Sequence, residues 1–186
     1  SSLYQAVPLH QEPRPLLVGE RTNANGSRTF RERLERDDFE GLVALAREQQ
    51  REGAHVLDVC VACAGRDEGR DMETLVRRLA TPCALPLMID STEPEVLERG
   101  LKAAPGRCIV NSINLEEGGT RANRVLSLCR EYGAAVVALT LDEAGMARTA
   151  ERKLAVADRL VALAVGEFGF EPSDLILDPL TFTLGS

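Results

Sequence analysis

At 186 residues, 44% hydrophobic and 27% charged, the chain has room for one domain of ordinary size with a substantial core. A formal charge of −7, with 22 basic residues interleaved among 29 acidic ones, argues against nucleic acid as partner. No apolar run approaches the roughly 20 residues of a membrane helix, so no membrane association is expected. Five cysteines, odd in number and irregularly spaced, with no signal-peptide pattern, predict a reducing, cytoplasmic location.

Residues 1–15 hold Pro8, Pro13 and Pro15 with few apolar partners and read as a linker or N-terminal strap. From Leu16 the pattern repeats: a short apolar run, a polar loop, an amphipathic helix, a Gly or Pro break. Strands are predicted at Leu16–Gly19, His55–Val59, Leu85–Ile89, Cys108–Val110, Ala135–Thr140 and Leu175–Leu177, continuously apolar like parallel strands buried on both faces. Phe39, Leu42, Val43 and Ala46 share one face of the first predicted helix, and Met72, Leu75, Val76 and Leu79 one face of the second. Thr92, ahead of Glu93, Pro94 and Glu95, predicts a hydroxyl-capped helix that ends near Gly106. Arg51–Val56 and Arg130–Val136 nearly repeat each other, each a glycine helix stop followed by strand entry.

Six βα units in a row predict a parallel α/β fold, either an open doubly wound sheet or a (β/α)₈ barrel. Because such a barrel normally takes about 250 residues and eight strands, residues 16–186 read as a barrel domain truncated before its last two βα units.

Each predicted strand finishes on or beside an acid or amide: Glu20, Asp58, Asp90, Asn111, Asp142 and Asp178. The carboxyl ends of parallel strands form the ligand face, so these groups are candidates for one functional ring, although Asp and Asn also favour loop starts and caps. An acidic, amide-bearing ring without histidine suits hydrogen-bond donors such as an amino-pyrimidine, or a hard divalent cation. No GxGxxG follows the first strand and no P-loop is present. Gly118-Gly119 reads as a flexible loop. Cys60 and Cys63 form a C-x-x-C that no second pair or nearby histidine completes, so no metal site is predicted. Cys83, Cys108 and Cys129 read as small buried hydrophobes. With His10 in the strap and His55 in a strand, nucleophilic catalysis has no support.

Six ordered motifs then become specific: Val18-Gly19-Glu20-Arg21-Thr22-Asn23 followed by Gly26-Ser27-Arg28; Met88-Ile89-Asp90-Ser91-Thr92; Ile109-Val110-Asn111-Ser112-Ile113-Asn114; Tyr132-Gly133-Ala134-Ala135-Val136-Val137; and Ile176-Leu177-Asp178-Pro179. Together, from about Leu16 to Leu184, they resemble the folate-binding domains of cobalamin-dependent methionine synthases, within the methyltetrahydrofolate:corrinoid methyltransferase family. The resemblance implies a pterin-binding (β/α)₈ TIM barrel and a methyltransferase activity, passing the N5 methyl of 5-methyltetrahydrofolate to cob(I)alamin. The corrinoid would be held by another module, and the implied partners are cobalamin-binding and homocysteine-binding modules of the same or a partner chain.

By the family's motifs, Asp178 would take the pterin 2-amino and ring N–H donors, while Asp90 and Asn111 would hold the other ring edge and polarise it. Glu20 would join the substrate site, and the Gly26-Ser27-Arg28 loop would close on the folate. Arg21, Arg28 and Arg66 are candidates for its anionic tail. Two relatives stay open, the methyltransferase serving a corrinoid iron–sulfur protein and dihydropteroate synthase, and, from a different class, a non-catalytic folate-binding fragment. Against dihydropteroate synthase stands the second loop, Val59 to Arg70, which lacks a Ser-Thr-Arg-Pro-Gly motif. A Mg²⁺ site in a barrel lyase is a further alternative, disfavoured by the asparagines.

Overall fold

A computed structural model describes residues 1–181, so the end of the span assigned to the barrel, residues 182–186, lies outside the described residues. The chain divides into two compact units, one of Ser1–Ile109 and one from Val110 onward.

In the first unit, residues 1–15 carry no helix or strand. The Ser2 hydroxyl donates to the Ala84 carbonyl at 2.7 Å and the Tyr4 hydroxyl to the Thr81 carbonyl at 2.6 Å, which holds this segment against the loop at 81–84. Strand β1 (Val18–Gly19) pairs in parallel with β2 (Val56–Val59), and β2 with β3 (Leu87–Asp90), in the register Gly19 to Leu57 and Asp58 to Met88. Four helices accompany them: α1 (Arg28–Glu35), α2 (Phe39–Arg51), α3 (Glu68–Leu79) and α4 (Pro94–Ala103). Three begin where a short polar side chain accepts an otherwise orphaned backbone N–H: Ser27 from Phe30, Asp38 from Gly41 and Asp67 from Arg70. The apolar stripes face inward as their period dictates, with Leu42, Ala46, Met72, Leu75 and Val76 fully buried. Gly100 lets α4 approach closely, since a Cβ there would stand 2.8 Å from Ile89 Cγ2 and 3.1 Å from Met72 Cγ.

In the second unit, β4 (Ile109–Leu115) lies beside β5 (Ala135–Asp142), with α5 (Thr120–Tyr132) between them in sequence. A short strand β6 (Gly145–Met146) turns back antiparallel on the end of β5, setting Asp142 opposite Gly145. Helix α6 (Ala150–Val161) starts at Thr149, whose hydroxyl accepts the Arg152 N–H at 3.2 Å, and runs into a π-helical stretch, Ala162–Glu167. A 3₁₀ turn at Pro172–Asp174 then leads into β7 (Leu175–Asp178), parallel to β5 with Leu139 opposite Asp178.

The alternation of strand and helix matches the sequence reading, with several differences. Helix α1 was not predicted, because only Phe30 and Leu34 of its eight residues point inward. Strand β4 continues past Val110 to Leu115, since Ile113 and Leu115 keep the period-two burial that the polar Asn111, Ser112 and Asn114 interrupt only in composition. Helix α4 takes Glu93, not Thr92, as its N-cap, with Pro94 at its start; it ends at Ala103, because the residue before Pro105 is driven to extended geometry. Burial on both faces holds for β2 but not for β1 and β7, where Val18 and Leu177 are 37% and 42% exposed. Gly118 and Gly119 lie in the turn that precedes α5, where both occupy the left-handed region and Gly119 is the helix N-cap. His55 sits just before β2 rather than in it, and its Nδ1 accepts the Leu17 N–H at 2.9 Å.

Candidate functional site

The carboxyl ends of β1, β2 and β3 converge on one side chain, Asn23. The segment after β1 crosses towards β2 and makes an isolated parallel bridge from Asn23 to Cys60. Here the Thr22 hydroxyl donates to the Asp58 carbonyl at 2.6 Å, and Gln49 of α2 donates to Thr22 Oγ1 at 3.3 Å while accepting the Arg21 N–H at 2.7 Å. Gly19 leaves room at this crossing: a Cβ would stand 2.6 Å from Gln49 Oε1, the atom that accepts the Arg21 N–H, and 3.2 Å from Leu57 Cδ2. Asn23 is thereby sunk to 8% exposure, and its Nδ2 donates to Asp58 Oδ2 at 2.6 Å and to Asp90 Oδ2 at 2.9 Å. Its Oδ1 accepts the N–H groups of Asn25 at 2.8 Å and Gly26 at 3.3 Å.

Asp90 closes β3 and is half-buried. Burial pushes its carboxyl above the usual carboxylate range; hydrogen bonds from Asn23 and the Cys60 thiol work against that rise, and the charges of Glu20 and Glu68 add to it. Burial, with a smaller contribution from Asp90, Asp58 and Glu68, pushes the Cys60 thiol up to about 12, so it is a neutral donor at physiological pH. Glu68, the first residue of α3, accepts the Ser91 hydroxyl at 2.6 Å. Under native conditions at pH 8, iodoacetamide is expected to alkylate the half-buried Cys63 and spare Cys60. Mass spectrometry showing both modified at one rate would contradict the buried, neutral thiol.

The sequence-predicted residues distribute as follows. Glu20, exposed, lies near Gly26: a Cβ on Gly26 would be 3.6 Å from the Glu20 carbonyl and 4.0 Å from its carboxylate. Ser27 spends its hydroxyl oxygen on capping α1, and Arg28 pairs along the helix surface with Glu32 at 2.7 Å. Arg21 pairs with Glu52, and Arg66 with Asp71 and Asp37 at 2.5 and 2.7 Å, so all three candidate tail-binding arginines hold carboxylates of the chain itself. In the second unit, Asn111 lies half-buried near the start of β4. Asp178 closes β7 and accepts the Leu180 N–H at 2.8 Å, while its carbonyl accepts the Thr140 hydroxyl at 3.3 Å.

Two members of the predicted six-membered ring serve the fold instead. Asp58, 2% exposed, lies beneath Asn23, and Asp142, 1% exposed, is gripped by Arg152 and Arg159 of α6. Asn23 and Cys60 were missed as functional candidates, although Asn23 stands inside the first motif and three residues ahead of a glycine, where an Asx turn is favoured. Among the described residues, no group of three or more His, Cys, Asp or Glu side chains could hold a metal ion, and no helix is long and apolar enough to cross a membrane.

The family model described as "Pterin binding enzyme" matches residues 19–186. Methionine synthases of Mycobacterium tuberculosis (strain ATCC 25618 / H37Rv) and Mycobacterium leprae (strain TN) are each 48% identical to the chain over 189 aligned positions, 100% of this chain and 16% of either relative. The chain thus spans about a sixth of the length of these curated relatives. Among solved structures, dihydropteroate synthase from Xanthomonas albilineans in complex with 7,8-dihydropteroate superposes with a TM-score of 0.63 at 23% identity, over 91% of this chain and 60% of that one. Yersinia pestis dihydropteroate synthase with a pterin–sulfa conjugate gives 0.63 at 16% identity, over 100% and 67%. These likenesses show that the chain has an α/β fold with parallel strands, similar to that of these synthases, with about six βα units.

Proposed function

Because the chain belongs to the pterin-binding enzyme family, we propose that it binds 5-methyltetrahydrofolate and supports transfer of the N5 methyl group to cob(I)alamin in methionine synthesis. The observation that carries this reading is the 48% identity to methionine synthases along the whole chain. The acid-and-amide character of the strand ends agrees with it. A pterin presents its 2-amino group and ring N–H as parallel donors, and a carboxylate opposite them makes a strong charge-assisted pair. Asp178 takes that edge; Asp90 and Asn111 take the other, and Glu20 with the Gly26-Ser27-Arg28 loop borders the ligand.

The chemistry divides between this module and others. A tertiary amine is a poor leaving group, so N5 needs a proton or a strong hydrogen bond as its bond to the methyl breaks. The corrinoid, held by a separate module, supplies the nucleophile. This chain's residues hold the pterin in one orientation and favour the polarised form, with Asp90 and Asn111 the candidates for that role. The partners in this reading are the cobalamin-binding and homocysteine-binding modules, and the location is cytoplasmic.

Calorimetric titration with 5-methyltetrahydrofolate, alongside 7,8-dihydropterin pyrophosphate, tests the reading. Saturable binding of the methylated folate alone is expected. Preference for the pyrophosphate would assign the chain to dihydropteroate synthase chemistry, the activity of its structural neighbours. Binding of neither would refute the folate assignment.

A further inference from the structure

The Asn23 side chain has two acceptor lone pairs and two N–H donors, and the structure uses all four. The acceptors take the backbone of the loop, Asn25 and Gly26; the donors go to the carboxylates of β2 and β3, Asp58 and Asp90. The amide has only one workable orientation. Rotated by half a turn, it would set its oxygen against two carboxylates and its NH₂ against two backbone N–H groups. The loop adds a second tie, since Asn25 Nδ2 approaches Cys60 Sγ at 3.6 Å and the Cys60 thiol hydrogen-bonds Asp90. The other ionisable groups that act on Asp90 in this unit are acidic: Glu20 after β1 and Glu68 at the start of α3.

We propose that Asn23 is a positioning residue for pterin binding: its amide, seconded by the Cys60 thiol, couples the 23–27 loop to Asp90 and presents that carboxylate to the ligand in one orientation. This rests on the pterin reading above. Both donors favour the charged form of Asp90, so losing either raises its titration midpoint. A pterin that needs the carboxylate as acceptor is then released at a higher pH than from the native chain. A loop that merely holds its shape through Asn23 would, when loosened, weaken binding by the same factor at every pH.

The test follows the ¹³C carboxyl resonance of Asp90 against pH in the native chain and in Asn23→Ala, Cys60→Ala and Cys60→Ser. Affinity for 5-methyltetrahydrofolate is measured over the same range. The midpoint is expected to rise in both alanine variants and to return towards the native value in Cys60→Ser, which keeps a donor. Affinity of Asn23→Ala is expected to fall about tenfold at the acid end, in keeping with one hydrogen bond lost to a charged group, and less at the alkaline end. If Asn23→Ala does not fold, the Cys60 pair decides the outcome. An unmoved Asp90 midpoint in a native chain that binds the folate overturns the positioning role alone. A native chain that binds no reduced folate, with the midpoint still moving in the variants, overturns the pterin reading alone.

Discussion

Replacing Asp178 with asparagine is expected to weaken binding of 5-methyltetrahydrofolate by about 2 kcal/mol, roughly 30-fold in Kd. The effect follows from how the carboxylate is already held. One oxygen accepts the Leu180 N–H at 2.8 Å, and the backbone carbonyl accepts the Thr140 hydroxyl at 3.3 Å, which fixes the end of β7. Asparagine retains that turn by giving its single side-chain oxygen to Leu180. What is left for the ligand is an NH₂ group, set against the two N–H donors of the pterin edge. The variant therefore keeps its fold and loses its acceptor, and the change is read cleanly as affinity by calorimetry. An unchanged Kd with an intact melting transition would remove Asp178 from the site.

How far such roles were legible in the sequence depended on whether period or partner decides them. Helices α2 and α3 were legible because Leu42, Ala46, Met72, Leu75 and Val76 repeat at the helical spacing and are all fully buried. The glycine stop at Gly133 was legible because the helix end it forms takes up the left-handed region, with φ of 65°. Helix α1 offered two inward residues and a cap, too little periodicity to register. The strand ends were the harder case. Asp58, Asp90 and Asp142 stand in similar contexts along the chain, each at or beside the end of an apolar run. Their difference lies wholly in what reaches them from elsewhere: Asn23 over Asp58, two arginines of α6 over Asp142, and for Asp90 an amide and a thiol that leave it half-buried. No one-dimensional pattern encodes that, because the partners are 35 and 67 residues away for the Asn23 contacts.

The same comparison explains why an acidic mouth does not by itself define a ligand site. A carboxylate removed from water must be paired or hydrogen-bonded. Asp71 meets the condition with Arg66, whose Nε and Nη2 reach its two oxygens at 2.5 and 3.0 Å; Arg66 is thereby held away from service as an anion receptor. The three arginines that the sequence offered for an anionic tail all have acidic partners of this kind. Each of these arginines is therefore already paired within the chain, most firmly Arg66, whose side chain is 20% exposed.

The Asp142 cluster provides the largest expected effect on stability and separates fold from site. Asp142 is 1% exposed, with Arg152 donating to both its oxygens at 2.7 and 2.6 Å and Arg159 at 2.8 Å, whereas the arginine side chains are 44% and 48% exposed. The pair is asymmetric: either arginine can return to water, but the carboxylate cannot. The double variant Arg152→Ala/Arg159→Ala, which among the described residues leaves the buried carboxylate only the Ala144 N–H, is expected to lose about 3 kcal/mol of unfolding free energy. Asp142→Leu frees Arg152 to rehydrate and leaves Arg159 paired with Glu143 at 2.9 Å, so its loss is expected to be about half that. Urea unfolding of both variants measures the difference, and folate affinity measured beside it decides the second point. Equal losses would mean that the burial asymmetry does not govern the cluster. A large fall in folate affinity in a folded Asp142→Leu chain would return Asp142 to the ligand ring from which its arginine partners have withdrawn it.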